Sequence, residues 1–369
     1  MSKELLRKYF QYLLALIPIR WRLDKEFHSF LALLHKNEKK GYEEMREYQF
    51  LKFKALVTSA YKYTEFYKKK YDAAGFHPNH LRSFDDLAKI PMLTKDEVRL
   101  GSKKMVVTPY KGKISSDYSS GTTGKPLEIF KDKNTVCREW ASICYQWERV
   151  GYTPYDGRVE FRGVITTNED YIFLPHRRIL RINLVKLSAG NIRQVVDKIN
   201  KTGYRFIHVY PSGIYKFAKM LLENGLEMDP QAVMFASEIP YPWMVEAVEK
   251  TFPSAKKIVH YGQIEKVALG AWADDRKYHF IPSYGLVEHI LESGELVATG
   301  FVHEAMPFIR YRLNDVAENF VSTPDDSGLM LFPMIDRVAG RFGDITYTNS
   351  GEIVPEAMLT FPFKKREHL

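Results

Sequence analysis

Strand-like and helix-like segments alternate in the middle of the chain, and this alternation limits the possible folds more than any other feature of the sequence. Short apolar runs at residues 206–210, 232–235 and 258–261 are separated by helical patterns at residues 214–223 and 241–251. Strands that alternate with helices form a parallel sheet covered by helices. The sequence therefore predicts an α/β fold with a large domain of this kind.

Flanking segments extend this prediction. Between residues 278 and 353, short apolar runs punctuated by Gly and Pro predict a β-rich subdomain. Residues 42–71 have a helical period without internal Gly or Pro, and Ser83 and Thr94 precede acidic residues as helix N-caps do. We also expect two strands and then a helix, at residues 114–118, 126–130 and 134–150.

The composition is that of a folded globular protein, with 45% apolar, 14% aromatic and 27% charged residues among 369. It excludes collagen-like, mucin-like and wholly disordered chains. The longest apolar run near the start, at residues 13–19, is well short of the roughly 20 residues that span a bilayer. Basic residues precede this run as in a signal peptide, but no small-residue cleavage site follows. Neither a transmembrane helix nor a signal peptide is predicted.

Positive charge is concentrated at the amino-terminal end. Residues 1–70 hold 16 Lys and Arg against 8 Asp and Glu, whereas the whole chain has a net charge of +9. Aromatic residues such as Tyr9, Phe10 and Trp21 are interleaved with these charges, which suits residues 1–30 to contact with an anionic membrane. A solvated, Lys-rich helical face is the alternative and the simpler explanation.

Cys137 and Cys144 are seven positions apart in a predicted helix, about 10 Å along its axis, which is too far for a disulfide. We therefore expect free thiols and a cytoplasmic location, which extends to the cytoplasmic face of the membrane if residues 1–30 bind there. The eleven histidines show no zinc-binding spacing.

A loop of small and hydroxyl residues joins the two strands predicted before residue 130. It reads Ser-Ser-Gly-Thr-Thr-Gly-Lys-Pro at residues 119–126. Glycines let a backbone approach an anion closely, hydroxyls donate hydrogen bonds, and a lysine adds positive charge. The loop therefore predicts a phosphate cradle, formed by Ser119, Ser120, Gly121, Thr122, Thr123, Gly124 and Lys125. An ordinary Gly/Ser turn is the alternative, and the spacing differs from that of the Walker A motif.

Four further motifs follow in order. They are Phe-Ala-Ser-Glu-Ile at residues 235–239, Tyr-Gly-Gln-Ile-Glu at 261–265, Arg-Tyr-Arg-Leu-Asn-Asp at 310–315 and Gly-Arg-Phe-Gly-Asp at 340–344. Together with the loop, they resemble the motifs of the adenylate-forming superfamily, which includes acyl-CoA synthetases, adenylation domains and luciferases. Within it, the sequence is most similar to the phenylacetate-CoA ligase and CapK-like branch. The resemblance extends over residues 42–363.

This resemblance implies a ligase activity. A carboxylate attacks the α-phosphate of ATP to give an acyl-adenylate and pyrophosphate, and a thiol, usually that of coenzyme A, then displaces AMP. ATP, Mg²⁺ and coenzyme A are the implied cofactors, and a small carboxylic acid is the implied substrate. No nucleic-acid partner is expected. The CapK-like branch implies a role in surface-polysaccharide biosynthesis.

The resemblance also implies residue roles. Lys125 and Glu265 are the expected catalytic residues, and Glu265 is also the expected Mg²⁺ ligand, because magnesium prefers hard oxygen ligands. Asp315 would accept hydrogen bonds from the ribose hydroxyls, with Arg341 beside it. The adenine would be bordered by Ser237, Glu238, Tyr261 and Gly262.

We expect three segments along the chain. Residues 1–41 form a basic helical segment, residues 42–343 an AMP-binding domain, and residues 344–369 a hinge with the stub of a truncated C-terminal domain. A partner that supplies the missing domain is one expectation. A degenerate nucleotide-binding module without enzyme activity of its own is the alternative function.

Two positions depart from the family pattern, Ile264 in place of Ser or Thr and Asn314 in place of Gly. Asn tolerates a positive φ better than most residues.

Overall fold

The structure is a computed structural model. It describes residues 3–118, 127–163, 169–272, 274–322, 333–341, 345–347 and 353–355. The α-helices in these ranges are α1 (Lys3–Ala15), α2 (Ile19–Arg22), α3 (Lys25–Asn37), α4 (Tyr42–Tyr63), α5 (Glu65–Ala73), α6 (Lys95–Gly101), α7 (Lys133–Trp147), α8 (Ile192–Thr202), α9 (Pro211–Glu223) and α10 (Pro242–Thr251). Short 3₁₀ helices lie at Pro78–His80, Phe84–Lys89, Ser102–Met105, Glu148–Val150 and Pro175–Arg177.

The strands in the described ranges are β1 (Ile114–Tyr118), β2 (Glu128–Asp132), β3 (Arg158–Arg162), β4 (Tyr171–Leu174), β5 (Ile179–Asn183), β6 (Phe206–Val209), β7 (Ala232–Phe235), β8 (Lys256–Gly262), β9 (Leu269–Trp272), β10 (Tyr278–Phe280), β11 (Gly285–His289), β12 (Glu295–Gly300), β13 (Tyr311–Glu318), β14 (Met334–Ile335), β15 (Arg337–Arg341), β16 (Ile345–Tyr347) and β17 (Ile353–Pro355).

The described residues group into two compact units. The first unit is drawn from Met1–Ser29, Ile143–Tyr261 and Ala271–Arg276. The second is drawn from Phe30–Ser142, Gly262–Gly270 and Lys277–Leu369. The bounds predicted from the sequence, at residues 1–41, 42–343 and 344–369, stay a prediction.

The first unit contains a mainly parallel sheet with the strand order β8-β7-β6-β3-β5-β4. Neighbouring strands from β8 to β5 run parallel, and β4 pairs antiparallel with β5. The helices bury apolar faces, as shown by Val195 and Ile199 in α8, Phe217 in α9 and Val248 in α10. The predicted α/β fold with a parallel sheet and covering helices is confirmed. Strands β3 to β5 and helix α8 were not predicted.

The second unit contains an antiparallel sheet with the strand order β11-β12-β13-β15. Three two-stranded antiparallel pairs accompany it, β1 with β2, β10 with β14 and β16 with β17. From β10 onward the described residues form strands and no helices, which confirms the predicted β-rich subdomain. The helix N-caps predicted at Ser83 and Thr94 are present, and each forms a reciprocal capping box.

The helical pattern predicted over residues 42–71 is confirmed except at Thr64, where the structure divides the segment into α4 and α5. This residue has φ −127° and ψ 135°, which ends α4 and starts α5. Its hydroxyl donates to Ala60 O at 2.8 Å and accepts from Tyr67 N at 3.1 Å. The side chain thus satisfies backbone groups at the ends of both helices. The hydrophobic pattern did not indicate this break, because the threonine has no Gly or Pro beside it.

Two facing glycines bring a loop segment onto the antiparallel sheet of the second unit. Gly285 in β11 pairs with Gly300 in β12. A Cβ on Gly285 would lie 2.7 Å from Thr299 O and closer still to Val267 O, and a Cβ on Gly300 would lie 2.6 Å from Lys266 O. Because such distances are shorter than van der Waals contact, only glycine allows the backbone of residues 266–267 to pack here.

We expect Gly285→Ala to lower the free energy of unfolding by about 1–3 kcal/mol, as overpacking does in other cores. Gly190→Ala is the matched control, because the nearest atom to a Cβ there is 3.8 Å away. Urea denaturation of both variants measures the difference. Equal stability of the two variants would show that the sheet does not hold residues 266–267 in this position.

Candidate active site

Glu265 and Tyr311 belong to two motifs that are far apart in sequence, and the second unit brings them into contact. The Tyr311 hydroxyl donates a 2.9 Å hydrogen bond to Glu265 Oε1. Glu265 is 7% exposed, and among the described residues it forms no ion pair. Burial and the Glu265 charge raise the pKa of Tyr311, so its hydroxyl keeps its proton and remains a donor. Glu265 is therefore a buried carboxylate held by a neutral donor.

Asp315 lies on β13, the strand that begins with Tyr311. The Asp315 charge also raises the pKa of Tyr311, so the two side chains are near each other. Asp315 is directly opposite Arg341 in the antiparallel register of β13 and β15. The structure thus places the two residues predicted for the ribose on neighbouring strands.

Asn314, one of the two departures from the family pattern, has φ +59°. This is the left-handed region, in which Asn is tolerated better than most other residues. Its backbone N–H donates to Glu295 Oε1 at 3.2 Å. The predicted tolerance of Asn at the position where the family has Gly is confirmed.

Two arginines of the same motif have partners that sequence analysis missed. Arg310 forms a bidentate ion pair with Glu288. It also donates hydrogen bonds to Leu87 O and Ile90 O, both at 2.7 Å. Arg312 pairs in the same way with Glu295, which is fully buried. Bidentate arginine–carboxylate pairs fix orientation as well as distance. They anchor β13, the strand that carries Tyr311 and Asp315.

The residues predicted to border the adenine follow two adjacent strands of the first unit. Ser237 and Glu238 follow β7, and Tyr261 lies near the end of β8, which pairs in parallel with β7 up to the Phe235–Val259 position. Carboxyl ends of neighbouring parallel strands share one edge of a sheet, where ligands bind in α/β folds. Gly262 ends β8 and belongs to the second unit.

Local contacts explain two of these positions. Ser237 has φ +69°, and the Glu238 carboxylate accepts a 3.1 Å hydrogen bond from Ser212 N in the first turn of α9. An acidic side chain there satisfies a free helix N–H and interacts favourably with the helix dipole. Glu238 therefore has a structural partner in addition to its predicted position beside the base.

The predicted phosphate cradle, Ser119, Ser120, Gly121, Thr122, Thr123, Gly124 and Lys125, lies outside the described residues. The strands on either side of it form an antiparallel hairpin, in which Tyr118 pairs with Glu128. The prediction that this loop joins two strands is confirmed. At the far end of the hairpin, Asp132 accepts from Thr135 N at 2.8 Å and begins α7.

A second buried group lies near Glu265. Lys266 pairs with Glu139 at 3.1 Å, and the same carboxylate accepts a 2.6 Å hydrogen bond from Tyr284. His303 is fully buried, and neither ring nitrogen has a hydrogen-bond partner among the described residues. Burial and the nearby Lys266 charge lower the pKa of His303 to about 3. The imidazole is therefore neutral at physiological pH.

Comparison with known proteins shows what the whole chain is similar to. No protein-family profile matches the chain. The chain is 27% identical to the phenylacetate-coenzyme A ligase of Escherichia coli (strain K12) over 357 residues, which cover 89% of this chain and 78% of that protein. It is 23% identical to Protein CapK of Staphylococcus aureus over 286 residues, covering 74% and 63% of the two chains.

The fold is shared with a solved CoA ligase. An open conformation of 2-hydroxyisobutyryl-CoA ligase, in complex with 2-HIB-AMP and CoA, superposes with a TM-score of 0.68 at 15% identity. The match covers 90% of this chain and 83% of that one. The chain is a relative of the phenylacetate-CoA ligases and CapK. It has the adenylate-forming fold that the sequence motifs predict.

The buried histidine His303 makes the stability of the protein depend on pH. An unfolded chain protonates His303 at a pKa near 6.5, whereas the folded chain does so only at about pH 3. Falling pH therefore favours the unfolded state, by about 1.4 kcal/mol for each pH unit in this interval.

We expect His303→Gln to remove this contribution, because glutamine does not titrate. Denaturation curves between pH 7 and pH 4 measure the slope of the free energy of unfolding against pH. This range brackets the ordinary histidine pKa. His35→Gln, at a histidine whose side chain is 44% exposed, is the control and should keep the wild-type slope. An unchanged slope in His303→Gln would contradict the assignment of His303 as a buried neutral imidazole.

Proposed function

We propose that this protein activates a small carboxylic acid with ATP, forming an acyl-adenylate and pyrophosphate, and transfers the acyl group to coenzyme A or another acceptor. The observation that carries the proposal is the Tyr311–Glu265 hydrogen bond, which joins residues of two motifs 46 positions apart. On the same strand as Tyr311, Asp315 pairs with Arg341 of the neighbouring strand. The phenylacetate-coenzyme A ligases among the relatives support the same reaction class.

Glu265 fits a magnesium ion bound with a nucleotide. A buried carboxylate without a cationic partner is costly, and it becomes favourable when a cation binds. Magnesium in nucleotide sites takes only one or two protein carboxylates and fills its other positions with phosphate oxygens and water. When bound, the ion would neutralise charge on the phosphates. Tyr311 contributes by holding one carboxylate oxygen in place.

The other roles are proposed from the resemblance and from position. Asp315 would bind the ribose hydroxyls, with Arg341 on the neighbouring strand. Ser237, Glu238, Tyr261 and Gly262 are proposed for the adenine. Ser119, Ser120, Gly121, Thr122, Thr123, Gly124 and Lys125 are proposed for the phosphates.

The physiological setting is also a proposal. A CapK-like role in surface-polysaccharide biosynthesis rests on the similarity to Protein CapK. A cytoplasmic location is supported by Cys137 and Cys144, which form no disulfide among the described residues, because oxidising compartments favour disulfides. The competing function is a nucleotide-binding module that acts through a protein partner and does not catalyse the reaction alone.

Asp315→Ala should abolish substrate-dependent exchange between ATP and pyrophosphate. A carboxylate that accepts two hydrogen bonds from a diol supplies several kcal/mol, so a loss of roughly a hundredfold or more is expected. Glu318→Ala is the control, because Glu318 lies on the same strand and pairs with Arg337.

The same assay separates the two functions. Nucleotide binding without exchange over a broad panel of carboxylic acids would contradict the enzyme and favour the module. Full exchange by the isolated chain would eliminate the module.

Tyr311→Phe should slow the exchange reaction by roughly tenfold or more, because hydrogen bonds to charged groups are worth about 1.5–3 kcal/mol. The variant should also require more Mg²⁺ for half-maximal rate, since one Glu265 oxygen loses its support. Tyr61→Phe is the matched control, because its hydroxyl also donates to a carboxylate, that of Asp72 at 2.7 Å, but on the surface. A Tyr311→Phe enzyme with the wild-type Mg²⁺ dependence would exclude the proposed role of Glu265.

A further inference from the structure

The amino-terminal helix of the first unit exposes an apolar stripe. We call this stripe the amino-terminal patch; it consists of Leu6, Tyr9, Phe10, Leu13, Leu16 and Ile17, which are 43–79% exposed. Their spacing of three, four and seven places them along one face of α1 and the turn after it. Eight of the eighteen exposed large apolar side chains among the described residues lie between Leu6 and Trp21. This concentration distinguishes the patch from scattered surface hydrophobics.

The opposite side of the helix faces the protein. Gln11, Leu14 and Ala15 are less exposed than the stripe, and α1 packs on the 3₁₀ helix Pro175–Arg177. An amphipathic helix normally buries its apolar face against the core. Here the larger part of the apolar face points away from the unit. This surface is therefore available to contact an apolar environment outside the unit.

Arginines lie on the two elements next to α1, namely α2 and the 3₁₀ helix Pro175–Arg177 with the residue after it. Arg20, Arg177 and Arg178 are exposed, and Arg22 donates to the backbone oxygen of His176. Burial and the nearby Arg178 charge lower the pKa of Arg22, so the guanidiniums of Arg22 and Arg178 lie close enough to repel each other. Arg177 and Arg178 are far from α1 in sequence, and only the fold reveals that they extend the basic amino-terminal segment.

We propose that the amino-terminal patch binds the surface of an anionic lipid bilayer. The apolar stripe would lie among the upper acyl chains, and the arginines would contact headgroup phosphates. Trp21 is 70% exposed, with the Arg20 guanidinium 5.5 Å from its ring centre. Tryptophan and arginine together are typical of membrane interfaces, where one end of a side chain is apolar and the other is polar.

Charge selects the membrane over a second copy of the chain. A symmetric dimer through the patch would bring two sets of the same arginines together, whereas anionic lipids neutralise them. No helix among the described residues is both long and apolar enough to cross a bilayer. The 13 residues of α1 suit a helix that lies in the plane of the interface.

Co-sedimentation of the full chain with vesicles tests the proposal. One set contains equal parts of phosphatidylglycerol and phosphatidylcholine, and the other contains phosphatidylcholine alone. We expect binding to the anionic vesicles, weaker binding to the neutral ones, and release from the anionic vesicles at high salt. Absence of binding to the anionic vesicles would overturn the proposal.

Two variants separate the apolar and the electrostatic contributions. Leu6→Ser/Phe10→Ser/Leu13→Ser removes most of the stripe, and Arg20→Ser/Arg177→Ser removes two charges without changing α1. Each should lower the partition coefficient for anionic vesicles by roughly tenfold or more. Leu100→Ser/Leu291→Ser is the matched control, because these leucines are 89% and 85% exposed in the second unit.

The readouts distinguish membrane binding from other causes. The variants should keep the wild-type thermal midpoint and exchange activity, because none of the changed residues is proposed for the active site. Loss of binding in the arginine variant, whose stripe is intact, supports the proposal even if the triple variant folds poorly. Equal losses in the control variant, or a wild-type dimer that the triple variant dissociates, would contradict it.

Discussion

The facing pair Gly285 and Gly300 is the constraint on which the second unit depends most. Because neither residue has a Cβ, the backbone of residues 266 and 267 packs directly on the antiparallel sheet. Residues 266 and 267 directly follow Glu265, whose carboxylate accepts the hydrogen bond from Tyr311. A side chain at either glycine would clash with the backbone of residues 266 and 267, although neither glycine is part of a recognised motif.

Arg310, just before β13, and the first residues of β13 have different partners, because side chains alternate between the two faces of a strand. Arg310 and Arg312 have carboxylate partners in Glu288 and Glu295, whereas Tyr311 between them contacts Glu265. Successive side chains of a strand point to opposite faces. The ion pairs therefore anchor the strand from one side and leave the other side for the proposed chemistry.

The sequence predicted more of the fold than of the site's support. Alternating segments at residues 206–261 specified the parallel sheet, because periodicity and helix length are local properties. The break at Thr64 escaped prediction, since a threonine that caps one helix and ends another leaves the apolar period unchanged. The pairing of Arg310 with Glu288 escaped it as well, because contacts between distant residues have no local signal.

The motifs located Glu265, Asp315 and Arg341 without showing what holds them. The structure shows the Tyr311 hydroxyl bonded to Glu265 and Asp315 in register with Arg341, with a left-handed backbone at Asn314. Family resemblance can suggest that such residues meet, but only the packing of neighbouring strands explains how. The same holds for Arg177 and Arg178. Their sequence positions do not associate them with α1, and only the fold brings their segment to the amino-terminal patch.

Two buried carboxylates of this chain, Glu160 and Glu265, differ in the partners that the structure gives them. Glu160 in the first unit is surrounded by the guanidiniums of Arg158 and Arg181, and these charges, with a bond to His208, hold its pKa well below the usual range despite burial. Glu265 is similarly buried, but the structure supplies it with a neutral hydroxyl. A carboxylate that served only the fold would gain more from an arginine, as Glu160, Glu288 and Glu295 do. Among the described residues Glu265 has no cationic partner, which is the arrangement expected under our proposal that a magnesium ion binds there with the nucleotide.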